Sequence, residues 1–161
     1  MPLTGEFILG EFPRTLDERF RVAIPSELAA GLTGEGPQCV LAKERPGCLS
    51  LWNAKGWQTR FDSGVELVKG KMRAGKLEGR LERVQMLGRL LSTRHKTVEL
   101  GDRGRLLIPD GFREFLNADP GTDVLIVGAA VCIEIWKPDA WRTHLESHMT
   151  EFTKLFDELS S

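Results

Sequence analysis

The stretch LDERFRVAIP, residues 16–25, places two arginines at alternate positions of a mainly apolar run, and a close copy, LGDRGRLLIP, follows at residues 100–109. The arginines occupy the same two positions in both copies: Arg19 and Arg21, then Arg103 and Arg105. Apolar residues at every second position, such as Val22 and Ile24, are typical of a strand with one buried face. The motif therefore predicts a strand at residues 19–24 with its arginines directed away from the core, and an equivalent strand in the second copy.

The two copies extend well past this motif at a constant spacing of 84 residues, the distance from Pro25 to Pro109. At that spacing the following residues correspond: Cys48 and Cys132, Trp52 and Trp136, Trp57 and Trp141. The pairs include every tryptophan of the chain, which is too rare a residue for chance, so we interpret the chain as a tandem duplication. A unit of about four short strands is too small to bury its own apolar face, and we expect the copies to pack together.

Each copy continues with a short helix and two more strands. The helices are predicted at residues 27–32 and 111–116, and Ser26 and Asp110 are their predicted N-caps. Strands are predicted at four further segments, residues 38–44, 48–52, 123–128 and 131–136, and residues 45–47 have the composition of the turn between the first two.

Longer helices follow the tryptophan-bearing strand of each copy. In the first copy they are predicted at residues 53–69 and 76–91, and Gly70 and Gly75 mark a break between them. In the second copy an apolar stripe is predicted along one helix: Leu145, Met149, Phe152, Phe156 and Leu159. We expect both helical segments to pack on the sheets or on a neighbouring subunit.

Composition excludes several classes of protein. The chain of 161 residues is 41% hydrophobic and 28% charged, which indicates a globular domain. No apolar run approaches the roughly 18 residues of a membrane span, and the N-terminus lacks the layout of a signal peptide, so we expect a cytoplasmic protein. Three cysteines without a CxxC pair argue against a disulfide scaffold or a zinc ribbon. Cys48 and Cys132 are interpreted as small buried apolar residues.

A net charge of −1 conceals two regions of opposite charge. Between residues 69 and 96 only Glu78 and Glu82 oppose nine lysines and arginines, whereas from Glu134 onward six acidic residues oppose three basic ones. The basic segment at residues 69–96 could bind the phosphates of a nucleic acid. Alternatively, it could contact the acidic C-terminal segment across a subunit boundary. We favour the second interpretation, because these helices also carry an apolar stripe.

The pattern of a DxxxR strand, a proline, a short helix and two strands, present twice, resembles the MraZ family, whose members contain two tandem swapped-hairpin units of the AbrB and MazE type. The resemblance is carried by four segments: LDERFRVAIPSEL, LGDRGRLLIPDGF, the paired SLW and EIW strands, and RLERVQMLGRLLS. It implies an α+β, mainly β fold in which two units form a pseudo-dimer with long helices after each unit. The predicted organisation has four parts: a first unit at 4–60, a basic helical connector at 61–96, a second unit at 97–142 and a C-terminal amphipathic helix at 143–161.

The resemblance also implies a function. It implies a sequence-specific, DNA-binding transcriptional regulator that assembles as a ring and binds direct repeats upstream of the division and cell-wall gene cluster, including its own promoter. The expected partners are double-stranded DNA and further copies of the chain, in the cytoplasm and at the nucleoid. No cofactor, membrane or small-molecule substrate is expected.

The DxxxR motif of the family corresponds to Asp17 and Arg21 in the first copy. In the second copy Gly101 stands at the aspartate position, and Asp102 comes one residue late. In the first copy, Phe20 replaces the small residue that commonly precedes Arg21 of the motif in the family. The two copies can therefore differ in how they meet DNA.

The candidate DNA-binding residues are five arginines, with Asp17 in support: Arg14, Arg19, Arg21, Arg103 and Arg105. In an extended segment Asp17, Arg19 and Arg21 share one face, where the carboxylate can hold a guanidinium by a charge-assisted hydrogen bond. Arginine matches a phosphate or a guanine edge, and a two-stranded ribbon fits the major groove. The alternative is a solvated edge strand whose charges prevent aggregation. Duplication of the arginines in register favours DNA contact.

No other motif indicates catalysis or metal binding. His144 and His148 are four residues apart, but the order HLESH is not the HExxH of zinc proteases, so these residues are interpreted as solvent-facing. We therefore predict that the chain is not an enzyme and holds no metal. The alternative function is an antitoxin-like or scaffold protein-interaction module with incidental DNA contacts.

Overall fold

The computed structural model describes residues 7–34 and 36–161. Residues 4–6 of the predicted first unit therefore lie outside the described residues. The strands are β1 Ile8–Thr15, β2 Arg21–Ala23, β3 Gln38–Arg45, β4 Cys48–Asn53, β5 His95–Glu99, β6 Arg105–Leu107, β7 Asp123–Ala130 and β8 Ile133–Trp136. The α-helices are α1 Ser26–Thr33, α2 Ala54–Arg73, α3 Leu81–Thr93, α4 Phe112–Leu116, α5 Pro138–His148 and α6 Phe152–Ser160, with 3₁₀ turns at Asp102–Gly104 and Met149–Glu151.

Six strands form one antiparallel sheet in the order β1-β7-β8-β4-β3-β5. The two copies exchange strands in it, because β1 precedes the first copy's motif but pairs with β7 of the second. In the same way β5 precedes the second motif but pairs with β3 of the first. The hairpins meet at the centre, where β4 pairs with β8. The predicted packing of the two copies against each other is confirmed.

The hydrophobic core lies between one face of this sheet and the layer formed by β2, β6, α1 and α4. From that layer it contains Val22, Ile24, Leu28, Leu106, Ile108 and Leu116, and from the sheet Leu41, Leu49, Leu51, Val124, Ile126, Ile133 and Ile135. Burial of each such side chain stabilises the fold by about 1.5–3 kcal/mol. The strands that carry the arginine motifs are therefore fixed by their inner faces.

The tryptophans lie on the other face of the sheet. Along β4 and β8 the side chains alternate, so Trp52 and Trp136 point away from Leu51 and Ile135 of the core. Trp136 is 1% exposed and packs in a tilted arrangement against Trp141 of α5, with 5.2 Å between ring centroids. Trp52 is half-buried beside Trp57 of α2, at 5.7 Å. These tryptophans thus attach the helices to the sheet and do not contribute to the main core.

The α+β class is confirmed, but the prediction of a mainly β protein is wrong. Helices contain more of the described residues than strands do. One reason is that the motif strands β2 and β6 are only three residues long, where residues 19–24 were expected in the first copy. The other is that α2 runs for 20 residues, through Gly70, before it ends. The break between α2 and α3 contains Gly75, whose φ of +73° is easiest for glycine.

Several smaller expectations also need correction. The strands β1 and β5 were not predicted. Ser26 and Asp110 do not cap helices, because Ser26 is the first residue of α1 and donates to Glu27, whereas Asp110 pairs with Arg113. The stripe from Leu145 to Leu159 is not one helix, since a 3₁₀ turn separates α5 from α6. The turn at residues 45–47 and the burial of the cysteines are confirmed.

Candidate nucleic-acid interface

The strands β2 and β6 pair with each other and form an antiparallel ribbon of their own. At its centre Val22 lies opposite Leu106, and both side chains are buried in the core. Alternate residues of a strand point to opposite faces, so the outer face consists of the four remaining residues: Arg21, Ala23, Arg105 and Leu107. One short ribbon thus carries an arginine from each copy on the face that does not pack on the protein.

The two arginines are diagonal neighbours on this outer face. Arg21 lies opposite Leu107, and Arg105 lies opposite Ala23, which places the arginines about 7–8 Å apart at the backbone. Arg105 is exposed and Arg21 is half-buried. The predicted direction of these two side chains, away from the core, is confirmed.

The turn before β2 is organised by Asp17. One carboxylate oxygen of Asp17 accepts hydrogen bonds from the backbone N–H groups of Arg19, at 2.8 Å, and Arg21, at 2.9 Å. The other oxygen accepts a hydrogen bond from Nε of Arg21 at 2.9 Å. Because the pair uses Nε, the two terminal nitrogens of the guanidinium are available to a ligand. Asp17 therefore holds the turn and positions the Arg21 side chain at the same time.

These hydrogen bonds also change the acidity of Asp17. The backbone N–H of Arg21 contributes most, followed among the lowering effects by the N–H of Arg19 and the side chain of Arg21, and together they hold the pKa of Asp17 below its ordinary value. Partial burial opposes them. Hydrogen bonds of this kind favour the charged form, so the carboxylate stays ionised throughout the neutral range.

The turn before β6 has the same backbone but lacks this carboxylate. The N–H of Gly101 donates to the carbonyl of Arg105 at 2.8 Å, as the N–H of Asp17 donates to that of Arg21 at 3.0 Å. Gly104 likewise donates to Gly101 at 3.1 Å. Gly101 has no side chain with which to hold an arginine, so Arg105 is presented without the anchor that Arg21 has.

The two turns are joined to each other at the ends of the ribbon. The N–H of Ile24 donates to the carbonyl of Gly104, and the N–H of Ile108 donates to the carbonyl of Phe20, each at 2.9 Å. Phe20 and Gly104 correspond at the 84-residue spacing, and both have a positive φ, of 60° and 71°. The Phe20 ring is held under the guanidinium of Arg113, 4.3 Å from its centroid.

Arg19 and Arg103 do not lie on the ribbon, contrary to the prediction that alternate arginines share a strand. Arg19 belongs to the turn between Asp17 and Phe20, and Arg103 lies in the 3₁₀ turn Asp102–Gly104 with a φ of 60°. The positive φ at Phe20 and Arg103 bends the chain before the strands begin. Both arginines are exposed, so they flank the outer face from its two ends.

Arg14 lies on β1 and is half-buried. Its Nη1 donates to the carbonyl of Pro13 at 2.8 Å, and its guanidinium lies 5.6 Å from the Phe12 ring centroid. It lines a cleft with Arg103, Ser26 and Gly104, so the structure places it beside the second turn and not on the ribbon.

One residue of the outer face was missed by the sequence reasoning. Leu107, the last residue of β6, is 52% exposed on the outer face and lies opposite Arg21. An exposed leucine between two arginines supplies an apolar surface of the kind that contacts the methyl group of thymine. Because residues two apart on a strand share a face, its position two residues after Arg105 could have identified Leu107 as part of the outer face.

Titratable groups shielded from solvent also lie on the tryptophan-bearing face of the sheet, away from the ribbon. Glu134 accepts a hydrogen bond from Nε1 of Trp136 at 3.0 Å, and burial raises the pKa of this carboxyl group. Burial also raises the pKa of the neighbouring Cys132 thiol to about 12 and that of Cys48 further. These thiols stay protonated and are poor nucleophiles, which agrees with their interpretation as apolar residues. The interpretation of His144 as solvent-facing is wrong, because its ring is half-buried against Trp136, with 5.0 Å between centroids.

Known proteins with a similar sequence carry one family name. The model of the MraZ protein family, described as antitoxin-like, matches residues 93–160. The protein named transcriptional regulator MraZ of Syntrophomonas wolfei is 26% identical over 94% of this chain and 95% of its own length. The chain is thus similar to MraZ proteins over nearly its whole length, in agreement with the predicted resemblance.

Further MraZ proteins match over similar lengths. That of Acetivibrio thermocellus is 27% identical over 84% of both chains, and that of Thermomicrobium roseum is 24% identical over 95% of this chain and 97% of its own. Both are named transcriptional regulators, which agrees with the prediction that this chain is not an enzyme.

A solved structure, PHS018 of Pyrococcus horikoshii, has 13% identity and a TM-score of 0.33 and covers 81% of this chain and 96% of its own. That similarity is too low to support any inference. Among residues 7–34 and 36–161, no helix is long and apolar enough to cross a membrane.

Proposed function

We propose that this protein is a sequence-specific transcriptional regulator that contacts double-stranded DNA through the outer face of the β2–β6 ribbon. The observation that carries the proposal is the placement of Arg21 and Arg105 on one exposed face whose opposite face is buried in the core. The names of the related MraZ proteins, transcriptional regulators, support the same conclusion.

The chemistry of this face suits the major groove. A two-stranded ribbon can enter it, and each guanidinium can form two parallel hydrogen bonds with a guanine edge or with a phosphate. Arg21 is held in advance by Asp17 and loses less side-chain freedom on binding, whereas Arg105 is free to adapt. Arg19 and Arg103, at the two ends, are placed to contact the phosphates on either side, and Arg14 extends that contact surface.

One ribbon makes few contacts, so a single chain would bind DNA weakly and with strong dependence on salt. We propose that identical chains assemble as a ring and present several ribbons to direct repeats, since tethered contacts gain affinity from their effective concentration. The proposed targets are promoters of the division and cell-wall genes, including the protein's own, and the proposed location is the nucleoid. The division into units at 4–60 and 97–142 remains part of this proposal.

A protein-interaction role is the second candidate, because the family is described as antitoxin-like and the apolar face of α6 is exposed. If DNA contacts were incidental and the arginines only prevented aggregation of an edge strand, their charge would matter but their geometry would not. The Asp17–Arg21 pair orders one guanidinium at the surface, and this favours DNA binding over the protein-interaction role.

The test compares the wild type with the double variant Arg21→Ala/Arg105→Ala on a duplex from upstream of its own gene, across a salt series. Each arginine is expected to contribute about 1–3 kcal/mol to specific binding, so the double variant should lose the specific complex and show a smaller salt dependence. Arg142→Ala is the matched control, because Arg142 is exposed on α5 and pairs with Asp139 at 3.6 Å. Specific binding by the double variant equal to that of the control, at unchanged assembly size, would refute the proposal.

A further inference from the structure

The C-terminal helix α6 carries an apolar face that its own chain leaves uncovered. Residues 152–160 include none that is buried. The face consists of residues at helical spacing with exposures between 58% and 79%, except for Leu155 at 52%: Met149 of the preceding turn, then Phe152, Leu155, Phe156 and Leu159. Single exposed apolar residues are ordinary, whereas two turns of them on one helix mark a surface for another partner.

The duplication identifies the equivalent face in the first copy. At the 84-residue spacing Met149 corresponds to Val65 and Phe152 to Val68, both on α2. Those two valines face α3 across a cleft. Neither α2 nor α6 contains a buried residue, so this surface is incompletely covered in both copies. The face of α6 therefore corresponds to a surface that lines an apolar cleft in the first copy.

The cleft between α2 and α3 is itself open and apolar. It has a volume of about 630 Å³ and extends to the tryptophan-bearing face of the sheet. It is lined mainly by the following residues: Trp57, Phe61, Val68, Val84, Leu87 and Leu91. Protein interiors are packed as densely as organic crystals, so an apolar space of this size is normally filled. The cleft thus has the shape and the chemistry to receive aromatic side chains.

The charges around the two surfaces are complementary. Three cations, Arg60, Lys69 and Arg94, line the cleft against one carboxylate, Glu44, which already lies 3.6 Å from Arg94. The rest of α6 and the turn before it have the reverse balance, with three acidic residues against one lysine: Glu151, Asp157, Glu158 and Lys154. Opposite charge selects this pairing over docking of α6 on an acidic surface.

We propose that α6 of one copy of this chain docks into the α2–α3 cleft of a second copy and inserts Phe152 and Phe156 there. This inference rests on the assembly of identical chains put forward above and names the surfaces that make it. Donor helix and acceptor cleft are different parts of the chain, so the contact is heterologous, and each subunit uses one of each. Repetition of such a contact closes a ring when the rotation between neighbours permits.

The first test measures the mass of the full-length protein in solution by light scattering. Phe152→Ser/Phe156→Ser removes the donor, and Leu87→Glu or Gly88→Trp blocks the acceptor. All these side chains are at the surface of the single chain, and a Cβ at Gly88 would meet no atom within 4 Å, so folding should be preserved. The wild type and the control Lys154→Ser, on the opposite side of α6, should be oligomers, and the three variants should be monomers. Unchanged mass in the variants would overturn the proposal.

The second test mixes two monomeric variants. The Phe152→Ser/Phe156→Ser chain retains a cleft, and the Leu87→Glu chain retains a donor helix, so an equimolar mixture should form one-to-one dimers and nothing larger. Two copies of one variant cannot do this. A mixture that stays monomeric, or that forms full oligomers, would contradict a donor-to-cleft contact.

DNA binding separates this inference from the proposed function. The monomeric variants keep the ribbon and should bind a single repeat like the wild type but lose the gain in affinity on a duplex with several repeats, by roughly 10²-fold or more. If no form of the protein bound DNA, the proposed function would fail while the mass measurements still decided the interface. Full affinity of monomeric variants for the multiple-repeat duplex would contradict the role given to assembly.

Discussion

The two turns that lead into the ribbon have the same backbone hydrogen bonds and different side-chain chemistry. In the first, the Asp17 carboxylate ties the turn to Arg21; in the second, Gly101 occupies that position and Arg105 has no such anchor. At the other end of the turn the glycine is in the second copy: Gly104 has a positive φ, as does the corresponding Phe20, which carries a side chain. The comparison teaches that both copies keep the backbone geometry of the ribbon, whereas only the first holds its arginine side chain in a fixed position.

The largest expected effect comes from Gly104→Ala. A Cβ at this position would lie 2.7 Å from the carbonyl oxygen of Ile24 in the partner strand, and the φ of +71° is unfavourable for alanine. We expect a loss of about 2–4 kcal/mol in the free energy of unfolding, measured by urea denaturation. Gly101→Ala, in the same turn, is the control, because its nearest contact would be an ordinary 3.6 Å. Equal stability of the two variants would show that the junction of the turns does not constrain Gly104.

Removal of the anchor should weaken DNA binding more than the equivalent change in the other turn. Asp17→Ala leaves Arg21 in place but frees its side chain and the N–H groups of the turn. We expect the affinity for the operator duplex to fall roughly three- to tenfold, measured by fluorescence anisotropy. Asp102→Ala is the comparison in the second turn and should change the affinity less. Similar losses from both variants would contradict the distinct role of Asp17.

A reverse experiment installs the missing carboxylate. Gly101 has a φ of −81°, which any residue can adopt, and its Cβ would have room, so Gly101→Asp can hold Arg105 as Asp17 holds Arg21. We expect a gain in operator affinity of roughly two- to threefold, which Arg105→Ala in the same chain should abolish. A gain that survives Arg105→Ala would show that the new carboxylate acts in another way.

The smallest effect is a dependence on pH. The folded pKa of Asp17 is below its ordinary value of 3.8, so its ionised form stabilises the turn fully above that value, and the contribution is lost as the pH falls through the lower folded pKa. The difference in urea midpoint between the wild type and Asp17→Asn should be constant from pH 7 to about 5 and should shrink below about pH 4. A difference that persists at the lowest pH would mean that the charge of Asp17 is not its source.

The sequence predicted the parts of this interface that depend on alternation and repetition. Val22 and Leu106 point inward and Arg21 and Arg105 outward because a period of two holds even in a strand of three residues. It could not predict that Arg19 leaves the strand, since that depends on a positive φ at Phe20, a residue for which this conformation is unusual. The residues alone also did not predict the strands β1 and β5, because these are held by long-range pairing with the other copy.

Register shows the same limit. The constant spacing aligns Val40 with Val124, but in the structure Trp52 lies opposite Val40 whereas Trp136 lies opposite Leu125. An irregularity between Lys43 and Arg45 shifts β3 by one residue, and β7 has none. A bulge of this kind leaves no clear signal in residue types, although it changes which side chains meet across a sheet.

The most direct test of the account is a photo-crosslinking measurement on the outer face of the ribbon. A photoreactive amino acid is placed at Leu107, whose side chain is 52% exposed on the outer face, and in a separate chain at Leu67 of α2, which is 65% exposed. With the operator duplex and light, we predict a covalent protein–DNA adduct from position 107 and none from position 67. An adduct from position 67 alone, or no adduct from position 107 under conditions of full binding, would contradict the claim that DNA meets this face.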